Sequence, residues 1–221
     1  MCDLRKLIDN AEAALFDLDG VIIDSDIFHE MAKMATVKYY NFEIKNKDWK
    51  KIKHHATSQI YQWLLERRHP KMDVSKEDFI AYKSRFFEEF SLKQIELVPG
   101  AIEFVKYLKK RKIKLALVTA GRRSNLKMFS KKFKLDKYFE LIITGDDVKN
   151  LKPSPEAYAM AVRLLKSQPQ NCIVFEDTEL GVLSGKSAGC QVVGRSATVS
   201  KKALLKAGAR QAFEKYEEIR L

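Results

Sequence analysis

The chain has 221 residues, of which 46% are hydrophobic, 10% aromatic and 32% charged, with only nine Gly and five Pro. This composition is that of a globular protein with one well-buried core and room for two modest domains, and it excludes collagen-like, low-complexity and disordered chains. No apolar run approaches the ~20 residues that span a bilayer. Residues 1–10 mix charged with apolar side chains, unlike a signal peptide. We therefore expect a cytoplasmic protein with no membrane partner.

Basic residues outnumber acidic ones, 41 Lys and Arg against 29 Asp and Glu, which gives a formal net charge of +12. Such an excess favours anionic partners, for example phosphorylated metabolites, nucleic acids or acidic surfaces. The lysines are spread over several segments, as on solvated helix faces, and no recognised nucleic-acid module accompanies them. Nucleic acid is therefore not an expected partner, and the charge alone does not identify the anion.

Five short apolar runs predict buried strands, because each is apolar on both faces and rich in β-branched or aromatic residues. The runs are residues 13–18, 115–119, 141–144, 173–175 and 191–193. Helical patterns lie between the later runs; one begins at Ser154-Pro155 and continues through Tyr158, Ala161 and Leu165. The alternation of strand and helix from about residue 96 onwards predicts an α/β, doubly wound (Rossmann-like) fold with a parallel sheet.

Residues 26–95 interrupt this alternation with several helical patterns and no clear strand. The clearest pattern begins at Ser75 and places four aromatic residues on one predicted face: Phe79, Tyr82, Phe86 and Phe90. We therefore predict an all-helical cap domain over 26–95, inserted into an α/β core formed by 1–25 and 96–221. An insertion after the first strand lies above the carboxyl end of the sheet, where ligands bind in open α/β folds, and could act as a lid.

Two acidic pairs follow predicted strands. Asp17 and Asp19 end the first strand, and Glu176 and Asp177 end the strand over 173–175. Side chains at positions i and i+2 of an extended segment share one side, so Asp17 and Asp19 would both point into the crevice beyond the sheet. Such carboxylates can hold a divalent cation or act as nucleophile, acid or base. From these residues alone, a turn or a helix cap stays an open alternative for either pair.

Two further polar residues come at predicted strand ends. Thr119 ends the strand over 115–119 and offers a hydroxyl, with backbone N–H groups nearby, to phosphate oxygens. Lys152, just before Pro153, offers a cation to the same crevice. Each of these residues alone would be uninformative.

Taken together and in this order, the four segments resemble the four motifs of the haloacid dehalogenase-like superfamily. The matching segments are the run from Asp17 to Ser25 (DLDGVIIDS), Thr119, the run from Lys152 to Pro155 (KPSP), and Glu176-Asp177-Thr178 with Gly181. The resemblance covers nearly the whole chain, including the inserted cap. The cap pattern is similar to that of the phosphoglycolate phosphatase-like and β-phosphoglucomutase-like members.

The resemblance implies a role for each carboxylate. Asp17 would be the nucleophile that attacks phosphorus and becomes an aspartyl phosphate. Asp19 would be the general acid that protonates the leaving oxygen and then the base that activates water. The metal site would hold Mg²⁺ through Asp17, the backbone carbonyl of Asp19 and Asp177, with Glu176 shaping the same loop.

The resemblance also implies how the phosphate group is bound. Thr119 and the adjoining backbone of Ala120 would contact the transferring phosphoryl group, and Lys152 would neutralise its charge and orient Asp17. The expected substrate is a small phosphorylated metabolite. Asp19 indicates phosphoryl transfer within the family, since the dehalogenase members lack this second carboxylate.

Two residues outside the motifs are candidate substrate contacts. His29 lies where sugar-phosphate mutases of the group carry a histidine, although it could equally pack at the hinge of the cap. Arg122 follows the strand that ends in Thr119 and could contact a second anionic group of the substrate, or lie exposed at a helix start.

The resemblance leaves three functions open. The mutases carry a Gly and an Arg in a cap loop, whereas residues 52–58 contain neither and offer only Lys53, His54 and His55 to an anion. This difference favours hydrolysis, so we expect an Mg²⁺-dependent phosphatase. A β-phosphoglucomutase-like sugar-phosphate mutase is the alternative, followed by a non-catalytic protein that binds anions or nucleic acid.

Overall fold

The computed structural model describes residues 4–53, 55–67, 74–91 and 94–219, so His54 lies outside the described residues. The chain divides into two compact units, one formed by Met1–Asp24 with Glu96–Leu221 and the other by Ser25–Ile95. We call the first the core unit and the second the helical unit. Within the described ranges, no helix is long and apolar enough to cross a membrane.

The core unit is built on a six-stranded parallel sheet. Its strands are β1 (Ala13–Phe16), β4 (Lys114–Val118), β5 (Leu141–Ile143), β6 (Cys172–Glu176), β7 (Gln191–Arg195) and β8 (Gln211–Phe213). They lie in the order β5-β4-β1-β6-β7-β8. Two further strands, β2 (Ile23–Asp24) and β3 (Glu96–Leu97), form a separate antiparallel pair. All five predicted strands are present.

Helices cover both faces of the main sheet. Those of the core unit are α1 (Leu4–Asp9), α6 (Ala101–Lys110), α7 (Arg123–Phe133), α8 (Glu156–Leu164), α9 (Glu179–Ser187) and α10 (Lys201–Ala207). On one face, Leu15 and Val174 pack with Tyr158 of α8. On the other, Phe16 stacks on Phe175 with ring centroids 4.6 Å apart, and Phe104 of α6 meets both rings. Successive residues of β1 therefore enter opposite layers, which explains a strand that is apolar on both sides.

The helical unit contains α2 (Asp26–Tyr39), α3 (Asn46–Ile52), α4 (Thr57–Glu66) and α5 (Lys76–Ser91). Its buried cluster joins these helices through residues such as Val37, Trp49, Leu64 and Phe79. The predicted aromatic face of α5 is wrong in part, because Phe90 is 52% exposed. The buried side of α5 instead follows a spacing of four residues through Phe79, Lys83 and Phe87.

Candidate active site

The carboxyl ends of β1, β4 and β6 meet where the strand order of the sheet reverses. β1 lies between β4 and β6, and Phe16 is in register with Leu117 on one side and Phe175 on the other. The next residues along the strands, Asp17 and Glu176, are therefore brought side by side. Ligands of open α/β sheets bind at such a position.

Lys152 joins the ends of all three strands. Its Nζ atom donates to Oδ1 of Asp17 at 2.7 Å, to Oε1 of Glu176 at 2.6 Å and to the carbonyl oxygen of Val118 at 3.2 Å. The Lys152 side chain is only 9% exposed, so these three acceptors replace the water that an ammonium group would otherwise bind. A buried charge is tolerated only with such partners, and the position of Lys152 is correspondingly well defined.

Glu176 is fully buried, and both of its carboxylate oxygens accept hydrogen bonds from neighbouring protein groups. Oε1 accepts from Lys152 and, at 2.8 Å, from the hydroxyl of Tyr158. Oε2 accepts from the backbone N–H of Asp177 at 3.1 Å and from the backbone and side chain of Thr178. Gly181 leaves the room for this carboxylate, since a Cβ atom there would lie 1.9 Å from Cδ of Glu176. The contacts of Glu176 thus fix the loop after β6 and hold Lys152.

The burial and the charges of the cluster shift the pKa values of Asp17 and Lys152. Burial, together with repulsion from Glu176 and Asp19, raises the pKa of Asp17 to about 8, although Lys152 acts in the opposite direction. Burial alone would lower the pKa of Lys152, but Asp17 and Glu176 raise it above its usual value. Lys152 therefore stays charged at neutral pH, and Asp17 would be more easily ionised if a further cation lay beside it.

The segment after Asp17 turns back sharply, which places Asp19 at the tip of a loop. The backbone N–H groups of Ile22 and Ile23 donate to the carbonyl oxygen of Leu18 at 2.9 and 3.0 Å. Gly20 has a φ of +70°, and a Cβ atom at this position would lie 2.1 Å from Oδ2 of Asp177. Only glycine satisfies both the left-handed backbone and this close approach to Asp177.

Asp177 lies beside this loop and is nearly inaccessible to solvent. Its Oδ2 atom accepts a hydrogen bond from the hydroxyl of Thr198, in the loop after β7. Arg195, the last residue of β7, reaches Gly20, because its guanidinium donates to the carbonyl oxygen of Gly20. The last residue of β7 thus holds the loop from β1, and the loop after β7 holds the carboxylate of Asp177.

The carboxylates form a set of donors that fits a divalent cation. Oxygen atoms of Asp17, Glu176 and Asp177 all lie within 4.8 Å of one another. When all three buried carboxylates are ionised, the single positive charge of Lys152 leaves two negative charges, which a divalent cation would balance. Carboxylate and carbonyl oxygens are the ligands that Mg²⁺ prefers, and the donor set therefore fits this ion.

Thr119 directly follows β4 and is buried. Its Oγ1 atom accepts a hydrogen bond from the backbone N–H of Gly121 at 2.9 Å, a bond that does not use the hydroxyl proton of Thr119.

Ala120 is exposed, and so is Arg122, which precedes the first residue of α7. The neighbouring Arg123 instead binds both carboxylate oxygens of Asp147, at 2.5 and 2.6 Å.

His29 belongs to the helical unit, where it lies on α2. Its Nδ1 atom is 2.8 Å from Nζ of Lys83. Its ring stacks on that of Phe87, with centroids 4.1 Å apart and an angle of 10° between the planes. Since Lys83 is itself buried, His29 takes part in the packing of α2 against α5.

The structure thus brings Asp17, Lys152, Glu176 and Asp177 into direct proximity, with Thr119 at the end of the adjoining strand. Tyr158 and Thr198 also contact this cluster, through Glu176 and Asp177, and neither is predicted in that role from the sequence. Tyr158 is part of an apolar helical pattern and therefore looks like an ordinary core residue. Thr198 lies in a polar loop with no motif, so its contact with Asp177 follows only from the fold.

Comparisons with known proteins identify the family of the chain. The family model described as haloacid dehalogenase-like hydrolase matches residues 14–195. A phosphorylated carbohydrates phosphatase of Thermotoga maritima is 32% identical over 213 residues, which are 94% of this chain and 96% of that protein. A pyrophosphatase, PpaX, of Bacillus mycoides is 30% identical over 195 residues, 87% of each chain.

A solved structure shows the same fold over nearly the whole chain. It is that of a haloacid dehalogenase-like hydrolase, family IA, variant 3, from Entamoeba histolytica, with a TM-score of 0.83, 28% identity and coverage of 95% of this chain and 96% of that chain. The resemblance inferred from the four motifs and the α/β fold class are both confirmed. The predicted class of enzyme, a phosphatase of this family, is also that of the two curated relatives. The chain belongs to the haloacid dehalogenase-like hydrolase family.

Proposed function

We propose that this protein is a cytoplasmic, Mg²⁺-dependent phosphatase that hydrolyses a small phosphorylated metabolite through an aspartyl phosphate on Asp17. The observation that carries the proposal is the position of Asp17. Its Oδ1 atom accepts a hydrogen bond from Lys152 at 2.7 Å. Oxygen atoms of Asp17, Glu176 and Asp177 lie within 4.8 Å of one another, close enough to bind one cation together. This arrangement supports a nucleophilic carboxylate beside a cation site at the carboxyl ends of the strands, where ligands of open α/β sheets bind.

Asp17 attacks the phosphorus atom of the substrate with the carboxylate oxygen that Lys152 does not hold. Attack by an anion on a phosphate group meets like-charge repulsion, and the ammonium of Lys152 offsets part of it. Because Lys152 is fixed by Glu176 and Val118 as well as by Asp17, its charge needs no reorganisation during the reaction. The products of this step are the aspartyl phosphate and the leaving group.

Asp19 moves the protons. It gives a proton to the leaving oxygen of the substrate when the P–O bond breaks, and it then takes a proton from the water molecule that attacks the aspartyl phosphate. One carboxyl group can serve both steps, because the proton lost in the first is regained in the second. The loop closed by Gly20 holds Asp19 two residues beyond the nucleophile.

Asp17, Asp177 and the backbone carbonyl of Asp19 would hold Mg²⁺, with Glu176 shaping the loop beside them. When bound, the ion would neutralise phosphate oxygens and favour the ionised form of Asp17. The contacts of Glu176 with Lys152, Tyr158 and Thr178 suit a residue that positions this loop. The hydroxyl of Thr198 orients the carboxylate of Asp177.

Thr119 and the backbone at Ala120 would bind the oxygens of the transferring phosphoryl group. The bond from Gly121 to Oγ1 of Thr119 supports this role, because it leaves the hydroxyl proton for donation to a phosphate oxygen. Arg122 would bind a second anionic group of the substrate. The pairing of Arg123 with Asp147 leaves Arg122 as the better candidate of the two arginines.

The helical unit would act as the cap domain that sets the substrate, with His29 among its contacts. The similarity to a phosphatase of phosphorylated carbohydrates over 94% of the chain supports a sugar phosphate as the substrate class. The similarity to a pyrophosphatase makes inorganic pyrophosphate the second candidate.

The test is release of inorganic phosphate from a panel of sugar phosphates, phosphoglycolate, nucleotides and pyrophosphate. Each compound is assayed with Mg²⁺, with a chelator and with an Asp17→Asn protein; Asp136→Asn, which changes an exposed aspartate, is the control. We expect phosphate release that requires Mg²⁺, that Asp17→Asn abolishes and that Asp136→Asn leaves unchanged. Conversion of a sugar phosphate to its isomer without free phosphate would instead identify a mutase. If the folded protein releases no phosphate and forms no isomer, the proposal is wrong.

A further inference from the structure

The positive charge of this chain comes from one segment. Between Phe104 and Lys137 lie 13 of the 41 Lys and Arg residues and one of the 29 Asp and Glu residues. This segment therefore carries the whole formal charge of +12, and the remainder of the chain has 28 residues of each sign. It comprises most of α6, the buried strand β4, α7 and the short 3₁₀ turn over Leu135–Lys137.

The fold brings the exposed charges of this segment together. Nζ of Lys109, near the end of α6, donates to the carbonyl oxygen of Lys137 at 2.8 Å, so the end of α6 lies against the turn that follows α7. Lys106 reaches the same place, with Nζ 5.9 Å from the ring centroid of Tyr138. We call the resulting exposed surface the basic face; it consists of Lys106, Lys109, Lys110, Arg111, Lys112, Lys131, Lys132, Lys134 and Lys137.

The basic face lies at the amino ends of the strands, whereas the candidate active site lies at their carboxyl ends. β4 starts four residues after the end of α6, and β5 starts four residues after the turn that ends at Lys137. The ends of both helices therefore lie where β4 and β5 begin, whereas Thr119 and Asp17 follow the ends of β4 and β1. These lysines are not placed to contact a substrate at Asp17.

Local structure explains only part of this charge. Cations in the last turn of a helix interact favourably with its dipole, by about 0.3–1 kcal/mol each, which accounts for Lys109, Lys110, Lys131 and Lys132. Arg111 is paired with Asp9 at 2.7 Å. The helix dipole does not account for the lysines beyond the helix ends or for the scarcity of acidic residues. Like charges gathered on one exposed surface repel one another, and a polyanion would relieve this repulsion.

We propose that the basic face binds the phosphate backbone of nucleic acid without sequence preference. Lysine contacts to phosphates supply binding of this kind and require no apolar burial. A membrane fits less well, because surface-bound proteins insert apolar side chains and none of the large exposed hydrophobic residues found in the described ranges lies between 104 and 137. These lysines are spread over several segments of the sequence, and the contact between α6 and the turn after α7 brings the segments together.

The test measures binding of the full chain to a fluorescent 20-base-pair RNA duplex and a DNA duplex by anisotropy, over a series of KCl concentrations. We compare the wild-type protein with Lys106→Gln/Lys110→Gln/Lys131→Gln/Lys132→Gln. The matched control removes four exposed lysines elsewhere, Lys47→Gln/Lys50→Gln/Lys202→Gln/Lys206→Gln. Both variants lose the same charge, so only the location of the lysines differs.

We expect the basic-face variant to bind the duplexes at least about tenfold more weakly at ~0.1 M salt. The slope of log affinity against log salt should become shallower by about 0.9 for each lysine that contacts a phosphate. The control variant should bind almost as the wild type does, and both should keep their phosphate release. Equal losses in the two variants, or tighter binding to phosphatidylserine vesicles than to either duplex, would overturn the proposal.

Discussion

The ammonium of Lys152 and the carboxylate of Glu176 form a buried ion pair, with Nζ 2.6 Å from Oε1. Glu176 is in turn held by the hydroxyl of Tyr158, which donates to the same Oε1 atom at 2.8 Å. The chain of contacts from Tyr158 through Glu176 to Lys152 ends at Asp17. Through these contacts, helix α8 on one face of the sheet fixes the position of Asp17 at the carboxyl end of β1.

The Tyr158→Phe variant should lose stability while keeping its fold. The substitution removes the hydroxyl bond to the buried, charged Glu176, and hydrogen bonds to charged groups contribute about 1.5–3 kcal/mol. Urea unfolding should therefore show a decrease of this size in the free energy of unfolding. Tyr107→Phe, whose hydroxyl contacts the exposed Arg111, should change the stability by less than about 0.5 kcal/mol. Equal effects in both variants would show that the bond to Glu176 has no special weight.

The Lys152→Gln variant should lose catalysis. It removes the cation that lies between Asp17 and Glu176, so the charge on the transferring phosphoryl group is no longer offset by a fixed donor. Loss of one such donor typically lowers kcat about 100- to 1,000-fold. Steady-state phosphate release measures the effect, and Lys149→Gln, which changes an exposed lysine of the same loop, is the control. An unchanged kcat in Lys152→Gln would remove Lys152 from the proposed mechanism.

The α/β fold could be predicted because its strands are buried on both faces and therefore read as continuous apolar runs. The edge strand β8, Gln211–Phe213, has no such run, and its pairing with β7 depends on the rest of the sheet. The buried face of α5 was misjudged because Lys83 counts as polar in a sequence pattern. In the fold it is buried, with its Nζ atom 2.8 Å from Nδ1 of His29.

The candidate site was accessible from sequence only where local segments carry the chemistry. Asp17, Lys152 and Asp177 each follow an apolar strand or precede a proline-marked helix, and parallel strands bring their carboxyl ends together. Tyr158 and Thr198 act through contacts that depend on how α8 and the loop after β7 pack. No spacing in the sequence encodes these contacts.

Stability in the presence of a chelator should depend on pH through Asp17. Burial raises its pKa to about 8, so between the unfolded value near 3.8 and about 8 the folded state binds a proton that the unfolded state has lost. The free energy of unfolding should therefore fall as the pH rises from 4 to 8 and then level off. The difference in unfolding free energy between wild type and Asp17→Asn, measured in urea at each pH, isolates this contribution. A difference that does not vary with pH would contradict the raised pKa of Asp17.

The Thr198→Val variant should bind Mg²⁺ more weakly without unfolding. Valine keeps the shape of threonine but cannot donate to Oδ2 of Asp177, so the orientation of that carboxylate is no longer fixed. Loss of a residue that orients a metal ligand typically costs about 10- to 100-fold in metal affinity. Titration calorimetry with Mg²⁺ measures this affinity directly, apart from any activity. Thr198→Ser keeps the hydroxyl and should restore binding.

The control for Thr198→Val is Ser200→Ala, two residues away. Ser200 caps α10 through the backbone N–H of Ala203, so its loss should cost about 1 kcal/mol of stability and leave Mg²⁺ affinity unchanged. A loose loop after β7 would weaken Mg²⁺ binding in both variants, whereas a specific contact weakens it only in Thr198→Val. If Thr198→Val binds Mg²⁺ as tightly as the wild type does, the hydroxyl of Thr198 does not orient Asp177 toward the ion.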